Sequence, residues 1–301
     1  MLLSACIDLS SGDAAALAAE LAEIDAIGLD FLLLGHDSDG VVVPAGIEAL
    51  VTMPWVLGIV RNAVVVGVLP ALHSLPFHVA RALSAIDILS KGRSGWMPTC
   101  ANAPRFDTAY GASYAVPAGE AVVKYDDFIG ATQALWDSWD GDALVLDKAS
   151  GVYLDSTKVR RVHYEGPYFS TVGPLNAARP KLGYPLLFRE PAAEIVGSTV
   201  SADVVIITAG SIEDARAQIS TASVAPYRPA ILLRTPVDTL AAILAIAQAV
   251  GADGIHLTGN LDAQAIAAAR ALVPATVFRT GDCWRSRIGV PRPVNPFSKA
   301  A

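Results

Sequence analysis

Short apolar runs alternate with longer amphipathic segments along most of the chain, beginning with Leu3 to Leu9, the Ala-rich stretch Ala14 to Ile27, and Phe31 to Leu34. A short apolar run bounded by turn formers fits a buried strand, whereas apolar positions recurring every three to four residues fit one face of a helix. Further strands are expected at Val64 to Leu69, near Ser94 to Thr99, and at Pro185 to Phe188, Val204 to Thr208, Ala230 to Leu233 and Gly254 to Leu257. Helices are expected at Ile47 to Ile59, Phe77 to Leu89, Lys124 to Trp139, Ala192 to Thr199, Ile212 to Ile219, Val237 to Val250 and Asp262 to Leu272. Strand then helix, repeated, implies a parallel sheet, and about eight strands is the number that closes a barrel. An open doubly wound sheet shows the same alternation, but Asp8-Leu9-Ser10-Ser11-Gly12 after the first strand lacks the Gly-rich phosphate fingerprint of that fold.

The expected fold is therefore α/β, a (β/α)8 TIM barrel occupying residues 1–301 as a single domain. One segment breaks the rhythm. From Asp142 to Tyr184 turn formers and alternating Val and Tyr residues replace the helical period, which predicts a β-hairpin insertion between helix 4 and strand 5. The tail beyond Thr280 contains Pro291, Pro293 and Pro296, so it is expected to wrap the surface without forming a regular helix or central strand.

Composition narrows the partners. Charged residues are 17% of the chain and the net charge is −7, so there is no basic field to gather a nucleic-acid backbone. The apolar stretches are interrupted, as by Pro70, His73, Pro76 and His78, and none is long enough to span a bilayer. Met1-Leu2-Leu3-Ser4 lacks the basic start of a signal peptide, and a cytoplasmic location is the expectation. Cys6, Cys100 and Cys283 are scattered and lack the spacing of a zinc or redox motif, and no metal is expected.

In a barrel of this type the active site lies at the carboxyl ends of the strands. The polar residues there are Asp8, His36 with Asp37, His73, Cys100, Arg189 with Glu190, Thr208 with Ser211, Arg234 with Thr235, and Thr258 with Asn260. His36 and His73 are the candidate catalytic residues, since imidazole exchanges protons near neutral pH, although either could be a loop hydrogen-bonding group. Together with Glu190 they could also be drawn as metal ligands, without any close ligand spacing in support. Arg189 and Arg234 are candidate anion-binding groups, while Arg189 and Glu190 could equally form a local ion pair. His256 alternates with Ile255 and Leu257 and reads as a core histidine, and Trp136 and Trp139 read as packing residues.

Several motifs point to a known group. Pro76-Phe77-His78-Val79-Ala80-Arg81, Ile86-Asp87-Ile88-Leu89-Ser90-Lys91-Gly92-Arg93-Ser94-Gly95-Trp96, His163-Tyr164-Glu165-Gly166-Pro167-Tyr168-Phe169 and Gly251-Ala252-Asp253-Gly254-Ile255-His256-Leu257-Thr258 resemble the bacterial luciferase-like flavin monooxygenases, which include the nitrilotriacetate, pristinamycin and dibenzothiophene-sulfone enzymes. The resemblance implies reduced FMN from a partner flavin reductase, a small organic substrate, and Trp96, Tyr125, Arg189 and Arg234 beside the cofactor. A homodimer or a heterodimer is compatible with it. Departures accompany it: Pro70 and Ala71 stand where the group has Ser and Thr, Met97 where it has Asn, Ala121 where it has His, and Arg189-Glu190-Pro191-Ala192-Ala193 where it has a phosphate-binding Gln-Ala-Gly-x-Ser loop. Pro191 has no N–H to offer an anion and Glu190 repels one. A second reading follows, a non-catalytic barrel that has lost flavin binding and serves as a binding or partner subunit.

Overall fold

The computed structural model describes residues 1–7, 13–38, 41–44, 47–100, 111, 115–117, 119–191, 197–222, 227–259, 261–275 and 283–298. Along the chain run β1 (Leu2–Ile7), α1 (Ala14–Ile27), β2 (Phe31–Ser38), β3 (Val41–Pro44), α2 (Ala49–Ile59), β4 (Val64–Pro70), α3 (Pro76–Ser90), β5 (Ser94–Thr99) and α4 (Ala121–Asp137). Four short strands follow, β6 (Leu144–Asp147), β7 (Val152–Leu154), β8 (Tyr164–Glu165) and β9 (Ser170–Thr171). The chain continues with β10 (Leu186–Arg189), β11 (Val204–Ile207), α5 (Ile212–Ala222), β12 (Ala230–Pro236), α6 (Leu240–Val250), β13 (Gly254–Thr258), α7 (Ala263–Leu272) and the one-turn α8 (Trp284–Arg287).

These elements form two compact units. The first comprises the described residues of Met1–Leu69, Arg93–Thr99 and Leu186–Pro291. Its strands pair in the order β1–β2–β4–β5–β10–β11–β12–β13, and β13 pairs again with β1, which closes an eight-stranded parallel barrel. The apolar runs become strands because both faces are buried, as a parallel barrel requires. Inward-facing Phe31, Val64, Val66, Phe188, Ile206 and Leu232 fill the interior, with Phe31 and Phe188 edge to face at 5.1 Å. Gly95 lacks a side chain because a Cβ there would crowd Phe188, Val66 and the Leu186 carbonyl at 3.1 Å each. Helix ends are set locally: Asp13 caps α1 by accepting from Ala15 N at 3.1 Å, and Gly28, at φ 96°, ends it in a left-handed conformation that favours glycine.

The tail differs from expectation in one respect. Trp284–Arg287 makes a helical turn that sends Trp284 against Phe31 and plants Arg285 on Asp203 with two bonds of 2.7 and 2.9 Å. The prolines begin only after it, which leaves that turn unobstructed. The strand β3 was not expected either; it folds back antiparallel on β2 in register Ser38↔Val41.

The second unit comprises the described residues of Pro70–Gly92, Cys100–Pro185 and Arg292–Ala301. Helices α3 and α4 pack together, joined by Trp136 Nε1 donating to the Ala80 carbonyl at 2.9 Å. The segment after α4 holds two small antiparallel ribbons, β6–β7 and β8–β9, in place of the single hairpin expected. The helix expected over 192–199 falls largely outside the described residues.

Candidate functional site

Alternation decides which strand-end residues face the barrel interior. On β12, Ala230 and Leu232 point inward, so Arg234 does too; on β10, Leu186 and Phe188 point inward and Glu190, just past the strand, continues that face. Ser4 lies between inward Leu2 and Cys6, and His256 is two residues beyond Gly254, whose Cβ would strike Leu2 and Leu232. Ser4, His256 and Arg234 are side by side in the register of β1, β13 and β12.

These groups bond to one another. Ser4 Oγ and His256 Nδ1 are 3.0 Å apart, and Cys6 Sγ lies 3.8 Å from His256 Nε2. Burial, reinforced by the charge on Arg234, pushes the His256 pKa down to about 3. A neutral imidazole with no exposure, tied to a serine, is a satisfied core group rather than a proton donor at neutral pH. Arg234 pairs with Glu190 Oε1, and Glu190 Oε2 accepts from the Val42 backbone N–H at 3.0 Å. The carboxylate thus ties β3, β10 and β12 together.

The sequence-derived candidates fall into separate sets. In the barrel unit Arg234 faces inward, whereas alternation places Trp96, Arg189 and exposed His36 on the opposite face of their strands. Arg189 Nη1 donates to the Val200 carbonyl at 2.7 Å and to Ser198 Oγ at 3.2 Å, so the local pair with Glu190 does not form. In the second unit buried His73 ends the short 3₁₀ turn Ala71–His73, which packs against α4, the helix that carries buried Tyr125. Among the other rim residues Thr208 and Ser211 are exposed, Thr235 is buried, and Asp8 and Asn260 lie outside the described residues. Among the described residues no group of three or more His, Cys, Asp or Glu side chains is arranged to hold a metal ion, and no helix is long and apolar enough to cross a membrane.

Sequence reasoning missed the Glu190–Arg234 pair, although the same alternation that put His256 inside its strand puts residues 189 and 190 on opposite faces. Pairing of Glu190 with the β3 backbone had no signal at all, because β3 itself went unassigned.

A closed parallel barrel with charged and polar groups at its strand ends places the chain among the α/β barrels of the (β/α)8 class. No family model matches the chain. It is 30% identical over 226 residues to a component of the pristinamycin IIA synthase of Streptomyces pristinaespiralis, covering 75% of this chain and 70% of that one. It is 35% identical over 119 residues to dibenzothiophene-sulfone monooxygenase of Rhodococcus erythropolis, 40% of this chain and 26% of that one. Several relatives of this kind are longer, and the match spans about a quarter of their length. Among solved structures, a riboflavin lyase with modified FMN and riboflavin shares the fold, with a TM-score of 0.76, 17% identity and 95% coverage of both chains. The chain belongs to the luciferase-like monooxygenase family.

Proposed function

We propose that this chain is a flavin-dependent monooxygenase that oxidises a small organic substrate with reduced FMN and O2, the reduced flavin coming from a separate reductase. The observation that carries this reading is the 226-residue match to the pristinamycin IIA synthase component. The modified FMN named for the riboflavin lyase, which shares this fold, supports the cofactor class. A bound flavin supplies the oxygen-activating chemistry, and the protein supplies orientation and exclusion of water. Within the barrel unit Arg234, which faces the interior, is the proposed cofactor contact. Trp96 and Arg189 lie on the opposite strand face and Tyr125 in the second unit, so they are not grouped with it. His36 and His73 are each proposed as proton-handling residues for separate test.

One part of the cofactor does not fit the described residues. Among the described residues Arg234 is engaged by Glu190, Arg189 Nη1 is held by Val200 and Ser198, and Pro191 has no N–H, so these three positions do not present a phosphate with the donors of the family's loop. That observation favours a second reading, a barrel that no longer holds flavin and acts as a binding or partner subunit.

The two readings separate in one assay. Purified chain is supplied with FMN, NADH, an FMN reductase and a panel of small sulfones, thioethers and carboxylates. Substrate-dependent oxygen uptake above the reductase-only rate, reduced by His36→Ala or His73→Ala in folded protein, supports the first reading. Uptake equal to the reductase-only rate throughout the panel, with no quenching of FMN fluorescence, supports the second.

A further inference from the structure

The first turn of α4 holds a buried lysine with no ion pair and no side-chain hydrogen bond to an oxygen among the described residues. Lys124 is 8% exposed, and burial pushes its ammonium below the usual lysine value. On a helix the acids that pair with a lysine stand three or four positions away, here Glu120 and Asp127. Both are committed to the β8–β9 ribbon and its turn. Glu120 accepts from Tyr168 Oη, while Asp127 accepts from the Tyr168 and Phe169 backbone N–H groups at 2.7 and 2.8 Å and from Tyr164 Oη at 2.6 Å. Lys124 meets instead the face of Tyr168, its Nζ 5.7 Å from the ring centroid. A ring face attracts the charge but offers its three donors no oxygen.

The position of this lysine compounds its lack of a counter-charge. A helical side chain leans toward the helix N-terminus, so Lys124 adds its charge to the positive end of α4. No side chain caps that end, and the N–H groups of Ala121, Val122 and Val123 have no acceptor among the described residues. A 17-residue helix whose first turn joins open N–H donors to a buried ammonium carries the donor set of an anion site.

We propose that Lys124 and the N-terminus of α4 bind the carboxylate or sulfonate group of a small organic molecule, with the Tyr168 ring as one wall of the site. The bound group supplies the partner that Glu120 and Asp127 withhold, and the ring face packs on the molecule's apolar body. Charge selects a monoanion over a phosphomonoester. One ammonium and a helix end worth roughly half a charge balance little more than one negative charge, and the Glu120 carboxylate repels a second. The site lies within the second unit and does not depend on the flavin reading.

The test is thermal unfolding of the full chain at constant ionic strength, titrated with benzoate, benzenesulfonate or inorganic phosphate against chloride, for wild type, Lys124→Met and Lys124→Gln. Wild type is expected to gain about 5 °C, saturably, once either organic anion reaches about 100 times its dissociation constant, and to gain less from phosphate. Both variants keep much of the apolar stem, lack the charge, and are expected to ignore all three anions. No saturable gain in wild type overturns the proposal, and so does an equal gain in the variants. If neither variant folds, reductive methylation of wild-type Lys124, followed by peptide mass spectrometry, decides: benzoate is expected to slow it, and an unchanged rate overturns the proposal. A larger gain from phosphate than from the organic anions overturns the monoanion assignment, and competition with benzoate by FMN but not by riboflavin would trace the site to the flavin phosphate instead. No step of the assay requires flavin turnover, so failure of the anion site is distinguishable from failure of the monooxygenase reading.

Discussion

The barrel and the second unit both bury acidic side chains with arginine, and they use them differently. In the second unit Asp127 accepts from the Tyr168 and Phe169 backbone N–H groups at 2.7 and 2.8 Å and from Tyr164 Oη at 2.6 Å. Asp137 pairs with Arg179 and accepts from Tyr184 Oη at 2.6 Å. The chain between α4 and β10 is mostly irregular, so its backbone donors need side-chain acceptors. In the barrel, the strands satisfy one another, and Glu190 and Arg234 at their ends are not needed to complete the ladder. Buried charge in irregular chain thus completes the backbone's hydrogen bonding, while Glu190 and Arg234 pair with one another at strand ends that the sheet already bonds.

The largest expected effect is at the second unit's ion pair. Arg179→Met leaves Asp137 buried without its cation and is expected to lower stability by about 3–5 kcal/mol in urea denaturation. A cost under about 1 kcal/mol would show that this pair is as dispensable as a surface one. Asp127→Asn comes next, keeping one acceptor where two backbone donors and a hydroxyl now bond, and is expected to cost about 1–3 kcal/mol by the same measurement.

His256 sharpens the comparison through pH. Its folded pKa of about 3 lies below the ordinary histidine value of 6.5, so between those values the unfolded chain binds more protons than the folded one. Its contribution to stability is complete above about pH 6.5 and is lost as pH falls toward 3. His256→Asn removes that titration, and the acid limb of a stability–pH curve is expected to flatten over the same interval; a slope equal to wild type would contradict neutral burial. The smallest effect on stability is expected at exposed His36, where Ala should change unfolding free energy by less than about 0.5 kcal/mol. If it handles protons, turnover falls by about 100-fold or more in the same folded variant.

Much of the barrel was legible because a parallel strand buried on both faces reads as a short, mostly apolar run: Phe31 to Leu34 and Val64 to Leu69 lie in barrel strands, as does Gly254 to Leu257, which His256 interrupts. Strand β3 was legible in principle, since Asp39-Gly40 between apolar runs is a hairpin signal, but the run Val41 to Val43 is short and ends in Pro44. The faces of Trp96 and Arg189 follow from alternation with Gly95 and Phe188. The packing of the His73 turn against the Tyr125 helix does not, because it brings together residues about fifty positions apart with no periodic relation. The single insertion hairpin became two ribbons for a related reason: alternating Val and Tyr residues mark strands, but not which strand each will pair with.

That the barrel holds FMN is the central claim, and equilibrium dialysis of FMN against the purified full chain tests it most directly. The predicted result is saturable binding of FMN by folded chain. No retention of FMN by folded chain would contradict it and favour the binding or partner subunit.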